Sequence, residues 1–574
     1  INTVRGQETG YATLNPLDTV NSPVLSNGNL DQTESTNEYG RARSTLSFDV
    51  EDSNGYYAEI TATGSAASST AFGIIPTDQK LDTGATNGIT GYKGLSGRST
   101  GWWTVDGAVN GTTDTGLTET PGDVLALAVR NGSVDMYING LFVGTFSGLS
   151  GQYSFITSAY GTTNALSANF GQKPFKFPPP EGFQPLNTAN VRPETVIARP
   201  DQYVGVTTYT GNGATSTAGT VARTLSNLSF KPDLIWVKER TATGTWADNN
   251  LTDSVRGTGL ALRSNTTDTE TNVATGFQQG GIGNGVNNGF TIISGNLGGT
   301  NNVNNSGSNY VAWTWKAGGN KNTFNVDDVG YASAAAAGLT AGTITPVGAS
   351  VGTKQGFGII GYTGTDNASD TFSHGLTQKP DFAIFKNRSQ AGDDWIVYHS
   401  SQGATKRGKL NLSNEFDAQT SQFNDTEPTS SLFTIGTYDN INKLNNNYIS
   451  YIWHDVPGLQ KFGSYTHNNS TDGPFIELGF KPSLILIKKH NVSGRSWVFV
   501  DSERDKYNVA KYNLWPNLTN GDTTTYDVLD ILSNGFKVRT NTNGWVGEST
   551  DSYIYAAWAE APAFNLYGGQ SNAR

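Results

Sequence analysis

The sequence contains no cysteine and a single methionine, Met136. Without thiols there are no disulfides and no thiolate zinc sites, so cores and hydrogen bonds must hold the chain together. Charged residues are only 15% of the 574, and no Lys/Arg-rich block occurs. With 38 basic against 49 acidic residues the net charge is −11, the wrong sign for a nucleic-acid face. No run approaches the roughly 18 apolar residues of a membrane-spanning helix, which argues against membrane insertion. No signal-peptide pattern heads the chain. Ile1 is not an initiator Met, so the numbering is expected to begin inside a gene product or after processing.

What is present is glycine, 69 residues, and aromatics, 11%. The aromatic share excludes a disordered chain, and glycine without a three-residue period excludes collagen. Turn formers between short apolar runs point to an all-β protein. At this length roughly three to five domains are expected.

One cassette recurs three times. It opens with Lys-Pro and a second Lys six residues after the Pro: Lys231-Pro232 to Lys238, Lys379-Pro380 to Lys386, and Lys481-Pro482 to Lys488. A Trp follows each opener at nearly the same spacing: Trp246, Trp395 and Trp497. Each copy closes on a Tyr and a Trp five apart: Tyr310/Trp315, Tyr448/Trp453 and Tyr553/Trp558. A strand ending in Tyr-Thr precedes each opener, at Tyr209, Tyr362 and Tyr465. The strand after Lys-Pro reads as buried on both faces. A Tyr and a Trp five apart on a strand point to opposite faces. Arrays of one small β-module belong to proteins that bind or build more often than to enzymes.

The chain divides accordingly. Residues 1–20 read as an irregular leader, because Pro16 discourages regular structure. Residues 21–175 read as a β-sandwich, with Leu46, Phe48 and Val50 on one strand face. In it, strands near Val124–Val129, Val134–Ile138 and Leu141–Phe146 form a meander turning at Asn131-Gly132 and Asn139-Gly140, both type I′ signals. Residues 176–202, with Pro178-Pro179-Pro180, Pro185, Pro193 and Pro200, read as a semi-rigid linker. The repeats then occupy 203–318, 356–458 and 459–562, with a Gly/Ala/Thr-rich linker or excursion at 319–355 and a tail at 563–574. Ala334 to Ala337 suggests one helical turn. Each repeat is expected to be a tandem antiparallel β-sandwich of jelly-roll, concanavalin-like type, and a module of about 100 residues is large enough to stand alone.

Gly122-Asp123-Val124, Tyr137-Ile138-Asn139-Gly140 and Ala168-Asn169-Phe170-Gly171 make the first domain resemble a SPRY-type, concanavalin-like sandwich. The opening Ala12 to Asp18 with Leu25 to Leu30, and the ending Asn565 to Arg574, are similar to virion proteins of marine phages that infect cyanobacteria or similar bacteria. The repeats likewise resemble repeated domains of marine phage structural proteins. That resemblance implies a virion component, exposed on the exterior of the mature particle, with other virion proteins as partners.

Candidate site residues fall in two groups. Trp102 and Trp103, beside Asp106, form a candidate ligand platform, since loops at one edge of SPRY-type sandwiches form the binding surface; one Trp of such a pair also faces inward by strand alternation. In the repeats, Trp246 with Asp253 and Arg256, and Trp497 with Asp501 and Arg504, suit a sugar platform in which Trp stacks on an apolar sugar face while Asp and Arg bind hydroxyls. The alternative is a turn closed by Asp on backbone N–H groups, with Arg paired to it. The second copy has His399 and Gln402 in place of Asp and Arg. The five His lack metal-ligand spacing, and the two Gly-x-Ser-x-Gly matches lack a following helix. A loop calcium site of Asp and Asn fits concanavalin-like sandwiches, although the EF-hand spacing is absent and its ligands cannot be named.

These observations lead to a non-enzymatic phage virion protein, a tail fibre or appendage that recognises host surface polysaccharide through multivalent lectin-like sandwiches. A homo-oligomer, a trimer by analogy with fibres, is expected. The alternatives are a scaffold or decoration protein that binds only other virion proteins, and a polysaccharide depolymerase with two close carboxylates.

Overall fold

The structure, a computed structural model, describes residues 10–64, 70–81, 89–98, 101–107, 111–191, 196–241, 247–276 and 279–563. It is built from antiparallel sheets, and its described α-helices are single turns of four residues. The chain forms two compact units that divide near residue 195.

The first unit is a β-sandwich of two sheets. One sheet orders Leu14–Val20, Tyr39–Asp49, Gln152–Tyr160, Ala71–Pro76, Lys93–Arg98, Gly101–Asp106 and Gly111–Asp114. The other orders Leu141–Ser147, Ser133–Ile138, Val124–Arg130, Tyr56–Ala62, Ala165–Asn169, Asp31–Thr33 and Val24–Ser26. The meander forms as expected: Arg130 faces Ser133 and Ile138 faces Leu141 across two-residue turns. Asn131, Gly132, Asn139 and Gly140 all have positive φ, the conformation that a type I′ turn demands and that Asn-Gly tolerates. Leu46, Phe48 and Val50 share the inter-sheet core with Val134, Met136 and Ile138.

Two expectations for this unit are corrected. Within the leader, whose residues 1–9 lie outside the described residues, the part after Thr13 is not irregular, because Leu14–Val20 pairs with Tyr39–Asp49. Pro16 is accommodated because the strand lies at the sheet edge and its register shifts between Leu14 and Thr19, the two settings in which a strand tolerates proline. Nor do residues 176–191 span freely. Gln184–Pro185 adds a short parallel pairing to Tyr56–Ala62, Leu186 is fully buried in the sandwich core, and the Arg130 guanidinium lies over the Phe183 ring at 4.5 Å. The apolar residues between the prolines dock the segment even though proline donates no hydrogen bond.

The second unit contains all three repeats. Each has a principal sheet with the same strand order: the Tyr-Thr strand, the closing Tyr/Trp strand, the Lys-Pro strand, then the strand after the mid-repeat Trp. In the first repeat these are Val204–Thr210, Asn309–Trp315, Leu234–Glu239 and Asn250–Asp253. In the second they are Phe357–Thr363, Asn447–Trp453, Phe382–Asn387 and Ile396–His399. In the third they are Gln460–Thr466, Ser552–Pro562, Phe480–Lys489 and Val498–Asp501. The excursion extends the second repeat's sheet: Gly348–Gly352 pairs with Phe357–Thr363, and Phe324–Val326 pairs parallel to Gly348–Gly352. The Ala-rich piece makes one turn, with the Ala337 N–H donating to the Ser333 carbonyl at 3.1 Å.

The Tyr-Thr signature acquires a reason. Tyr209 stacks on Tyr310, Tyr362 on Tyr448 and Tyr465 on Tyr553, with ring centroids 5.1, 5.2 and 5.1 Å apart. The three first-strand hydroxyls donate to the Val303, Ile441 and Val546 carbonyls, each at 2.7 Å. An acceptor for the buried hydroxyl offsets the cost of taking it out of water.

Each principal sheet is buried on both faces. In the first repeat Ile235, Val237, Tyr310 and Ala312 pack into the repeat's own sandwich. Leu234, Trp236, Val311, Trp313 and Trp315 turn the other way, into a core that also holds Phe382, Ile384, Tyr451 and Trp453 of the second repeat and Leu484, Leu486, Phe499 and Trp558 of the third. The expectation of modules that stand alone is therefore corrected: alternation places half of each strand's apolar residues outside its own sandwich, where the sister repeats cover them. At the centre the closing tryptophans meet edge to face, with Trp315–Trp558, Trp453–Trp558 and Trp315–Trp453 centroids 5.3, 6.0 and 6.2 Å apart. A void of about 10 Å³ with a wholly apolar lining lies among them.

Candidate functional site

The residues that recur with the cassette converge on the junctions between repeats. The second Lys of each opener is buried and bonds two carbonyls. Lys238 donates to Ala247 of its own repeat and, at 2.9 Å, to Thr519 of the third. Lys386 donates to Asp393 at 2.7 Å and to Thr267 of the first repeat at 3.3 Å. Lys488 donates to Arg495 at 2.5 Å and to Ser413 of the second repeat at 3.2 Å. Each lysine thus ties its repeat to a neighbour, and the three ties close a ring. Burial pushes Lys238 and Lys386 down to about 8 and Lys488 to about 7.

The tryptophans act alongside. Trp395 Nε1 donates to the Arg263 and Thr266 carbonyls of the first repeat at 3.0 and 3.1 Å, and Trp497 Nε1 donates to the Lys409 carbonyl of the second at 2.9 Å. Trp246 lies outside the described residues. At that junction the Asn249 amide donates to the Trp515 and Leu518 carbonyls, both at 3.1 Å, and the Ser264 hydroxyl to the Pro516 carbonyl at 2.6 Å.

The Asp/Arg residues join the same ring. Asp253 pairs with Arg256 and accepts from the Tyr451 hydroxyl of the second repeat at 2.8 Å. Asp501 pairs with Arg504 at 2.6 Å and accepts from Trp313 Nε1 of the first repeat at 3.0 Å. Glu270 bridges Arg256 to Arg388 of the second repeat, as Asp522 bridges Arg504 to Arg240 of the first. The second repeat replaces this charged set by a neutral one. His399 Nε2 meets the Tyr555 carbonyl at 3.1 Å, its Nδ1 accepts the Ser401 N–H, and Gln402 lies 3.5 Å from His490. Burial lowers His399 and His490 to about 4, which keeps both rings neutral. The missing Asp and Arg of the second copy are thus a concerted replacement at one junction. The sequence signal for it was His490, which stands where Arg240 and Arg388 follow the other two openers.

The sugar-platform reading of Asp253, Arg256, Trp497, Asp501 and Arg504 is corrected by this geometry. All five are buried, and their polar atoms are occupied by one another and by neighbouring repeats. The turn-closing alternative describes them: Asp253 Oδ1 accepts the Val255 and Arg256 N–H groups, and Asp501 Oδ1 accepts that of Arg504.

In the first unit, Trp102 is also fully buried, so it offers no ligand surface. Its Nε1 donates to Asp123 Oδ2 at 2.7 Å, and Asp123 Oδ1 accepts from the Asn139 amide at 2.8 Å. Asp123 of the Gly-Asp-Val motif and Asn139 of the Tyr-Ile-Asn-Gly motif are therefore joined directly. Trp103 points the other way and is half-buried, with the Arg98 guanidinium 5.0 Å from its ring. Asp106 is paired with Lys93 at 2.5 Å. Among the described residues no cluster of three or more His, Cys, Asp or Glu is arranged to hold a metal ion, and no helix is long and apolar enough to cross a membrane.

A feature not anticipated from the sequence is a polar cleft of about 510 Å³ in the second unit. The Lys231 turn, Tyr203, the Asn287-Asn288 turn, Lys316 at the end of the first repeat and Asp328 of the excursion line it. Lys231 Nζ donates to Asn320 Oδ1 at 2.6 Å, and Lys316 pairs with Asp328 at 2.6 Å. Asp233 is buried, which raises its pKa against the opposing effect of the Ala317 N–H it accepts at 2.8 Å.

Comparison with solved structures finds the TRIM65 PSpry domain (13% identity, 28% of this chain and 89% of that one, TM-score 0.23). It also finds the SPRY domain of human HERC1 (12%, 28% and 99%, 0.23) and the carbohydrate recognition domain of Emp47p (12%, 28% and 91%, 0.20). Among curated proteins nothing matches. Residues 199–562, the whole ring of three repeats and more than half of the sequence, match the family described as "Domain of unknown function (DUF7483)", and the chain belongs to that family.

Proposed function

We propose that the protein is a non-enzymatic component of a phage virion, a tail fibre or exterior appendage that recognises host surface polysaccharide. The observation that carries this reading is the closed ring. The recurrent Lys, Trp, Asp and Arg residues are consumed in fastening three sandwiches into one rigid body, as a part that builds or displays requires. The similarity of the chain's opening and ending to marine phage virion proteins supplies the context, and a half-exposed polar cleft supplies a surface for weak recognition. Many copies on one particle, a homotrimeric fibre among the arrangements, would turn weak sites into useful avidity. The burial of the repeat tryptophans favours a second reading, a scaffold whose faces meet only other virion proteins.

The test is binding of the purified chain to marine cyanobacterial cells and to their extracted surface polysaccharide, with and without calcium chelation. Saturable binding without shortening of the polysaccharide supports the fibre reading, and loss on chelation assigns a loop calcium. Absence of binding in every condition overturns it in favour of the scaffold. Binding accompanied by chain shortening overturns the non-enzymatic assignment. It would direct attention to Asp381 and Asp455, adjacent half-buried carboxylates whose pKa values desolvation raises.

A further inference from the structure

We propose that the cleft between the first repeat's Lys-Pro turn and the excursion after it is a binding subsite for a neutral saccharide. The inference rests on the glycan-binding reading and locates it. The volume of about 510 Å³ lies within the roughly 300–1,000 Å³ of small-ligand sites. The lining carries Lys231 and Lys316 against Asp233 and Asp328, two charges of each sign, so its field favours an uncharged polar ligand over a phosphate or a uronate. Lys231 uses one of its three donors on Asn320. Asn287 and Asn288 are exposed, and the Asp328 side chain is 50% exposed. A sugar hydroxyl both donates and accepts, and this lining offers ammonium, amide and carboxylate groups together. Tyr203 adds a half-buried ring at the rim, packed against the core and with Lys354 Nζ 5.9 Å from its centroid.

Comparison of the three repeats points to the same place independently. The corresponding Lys379 and Lys481 are each matched with a carboxylate, Glu427 at 2.8 Å and Glu560 at 3.2 Å. Lys231 meets the neutral Asn320 instead. The wall that bears Asn320 and Asp328 belongs to the excursion between Trp315 and Phe357; the link from Trp453 to Gln460 is too short to build one. The first repeat is thus the copy whose opener has been turned from a closed ion pair into the floor of a cleft.

The experiment is saturation-transfer NMR and calorimetric titration of the full chain with glucose, galactose, mannose and glucuronate. At least one neutral hexose is expected to receive transfer. Lys231→Met is expected to weaken its binding at least tenfold, with Lys379→Met leaving it unchanged. Asn288→Gly provides a second variant, because its φ of 64° suits glycine, and it is expected to weaken binding in the same direction. No transfer from any neutral hexose, a preference for glucuronate, or unchanged affinity in both cleft variants overturns the proposal. Undiminished cell binding by Lys231→Met and Asn288→Gly would also overturn it while leaving the glycan-binding reading intact. Hexose binding without cell binding would uphold the cleft and overturn the fibre.

Discussion

The shared aromatic core predicts that one substitution at its centre destabilises all three repeats together. Trp558 is 1% exposed and touches Trp315 and Trp453. Truncating a buried Trp to Ala costs about 3–5 kcal/mol. The packing around Trp558 is close, the void that it lines being only about 10 Å³, and the upper half of that range is expected. The discriminating quantity is coupling. If the repeats form one body, Trp315→Ala and Trp558→Ala, at positions far apart in sequence but with ring centroids 5.3 Å apart, remove the same edge-to-face contact. The double variant should then depart from additivity by about 0.5–3 kcal/mol. Scanning calorimetry and urea unfolding of the full chain read this out: the second unit should melt in one transition, displaced as a whole by either substitution. Separate melting of the third repeat in Trp558→Ala, with additive losses in the double variant, would refute the common core.

Other outcomes follow from the junctions. Asp253→Ala leaves Arg256, whose side chain is 0% exposed, with Glu270 at 3.3 Å as its remaining carboxylate, and should cost about 3 kcal/mol, the low end for removing one partner of a buried pair; Asp201→Ala, at an exposed pair, should cost under about 1 kcal/mol. His399 has a folded pKa of about 4 against an ordinary 6.5. The unfolded chain therefore takes up its proton first, and stability present above pH 6.5 is lost as pH falls toward 4, by at most about 3 kcal/mol. His399→Gln should flatten that part of the acid limb relative to the parent. Glu34 and Asp455, raised to about 7 by burial, act oppositely over roughly pH 7 to 4, so the variant-minus-parent difference is the quantity to measure. Asp123→Ala leaves the Trp102 indole, the Thr120 N–H and the Asn139 amide without their acceptor. At about 1–3 kcal/mol for each donor left unsatisfied, it should lower the melting of the first unit and leave the second unchanged.

Local chemistry made much of this legible. Asn-Gly pairs state their own turn type, alternation states which residues of a strand share a face, and the thrice-repeated Lys-Pro, Trp and Tyr/Trp anchors mark the modules. Residues such as Trp102 and Asp253 were harder to place. A Trp beside Asp and Arg has the same composition whether it waits for a sugar or closes a turn, and only burial separates the two.

By itself, then, the sequence determined the all-β class, the meander with its Asn-Gly turns, the threefold recurrence and the opposite facing of each closing Tyr and Trp. These depend on backbone preference and on a period of two, which are local. The tertiary structure alone decided that the outward faces of the three repeats meet in one core, that the buried lysines fasten neighbour to neighbour, and that Lys231 opens onto a cleft while Lys379 and Lys481 are closed by carboxylates. Those outcomes depend on which residues, far apart in the sequence, come into contact, and a periodic pattern carries no information about its distant partner.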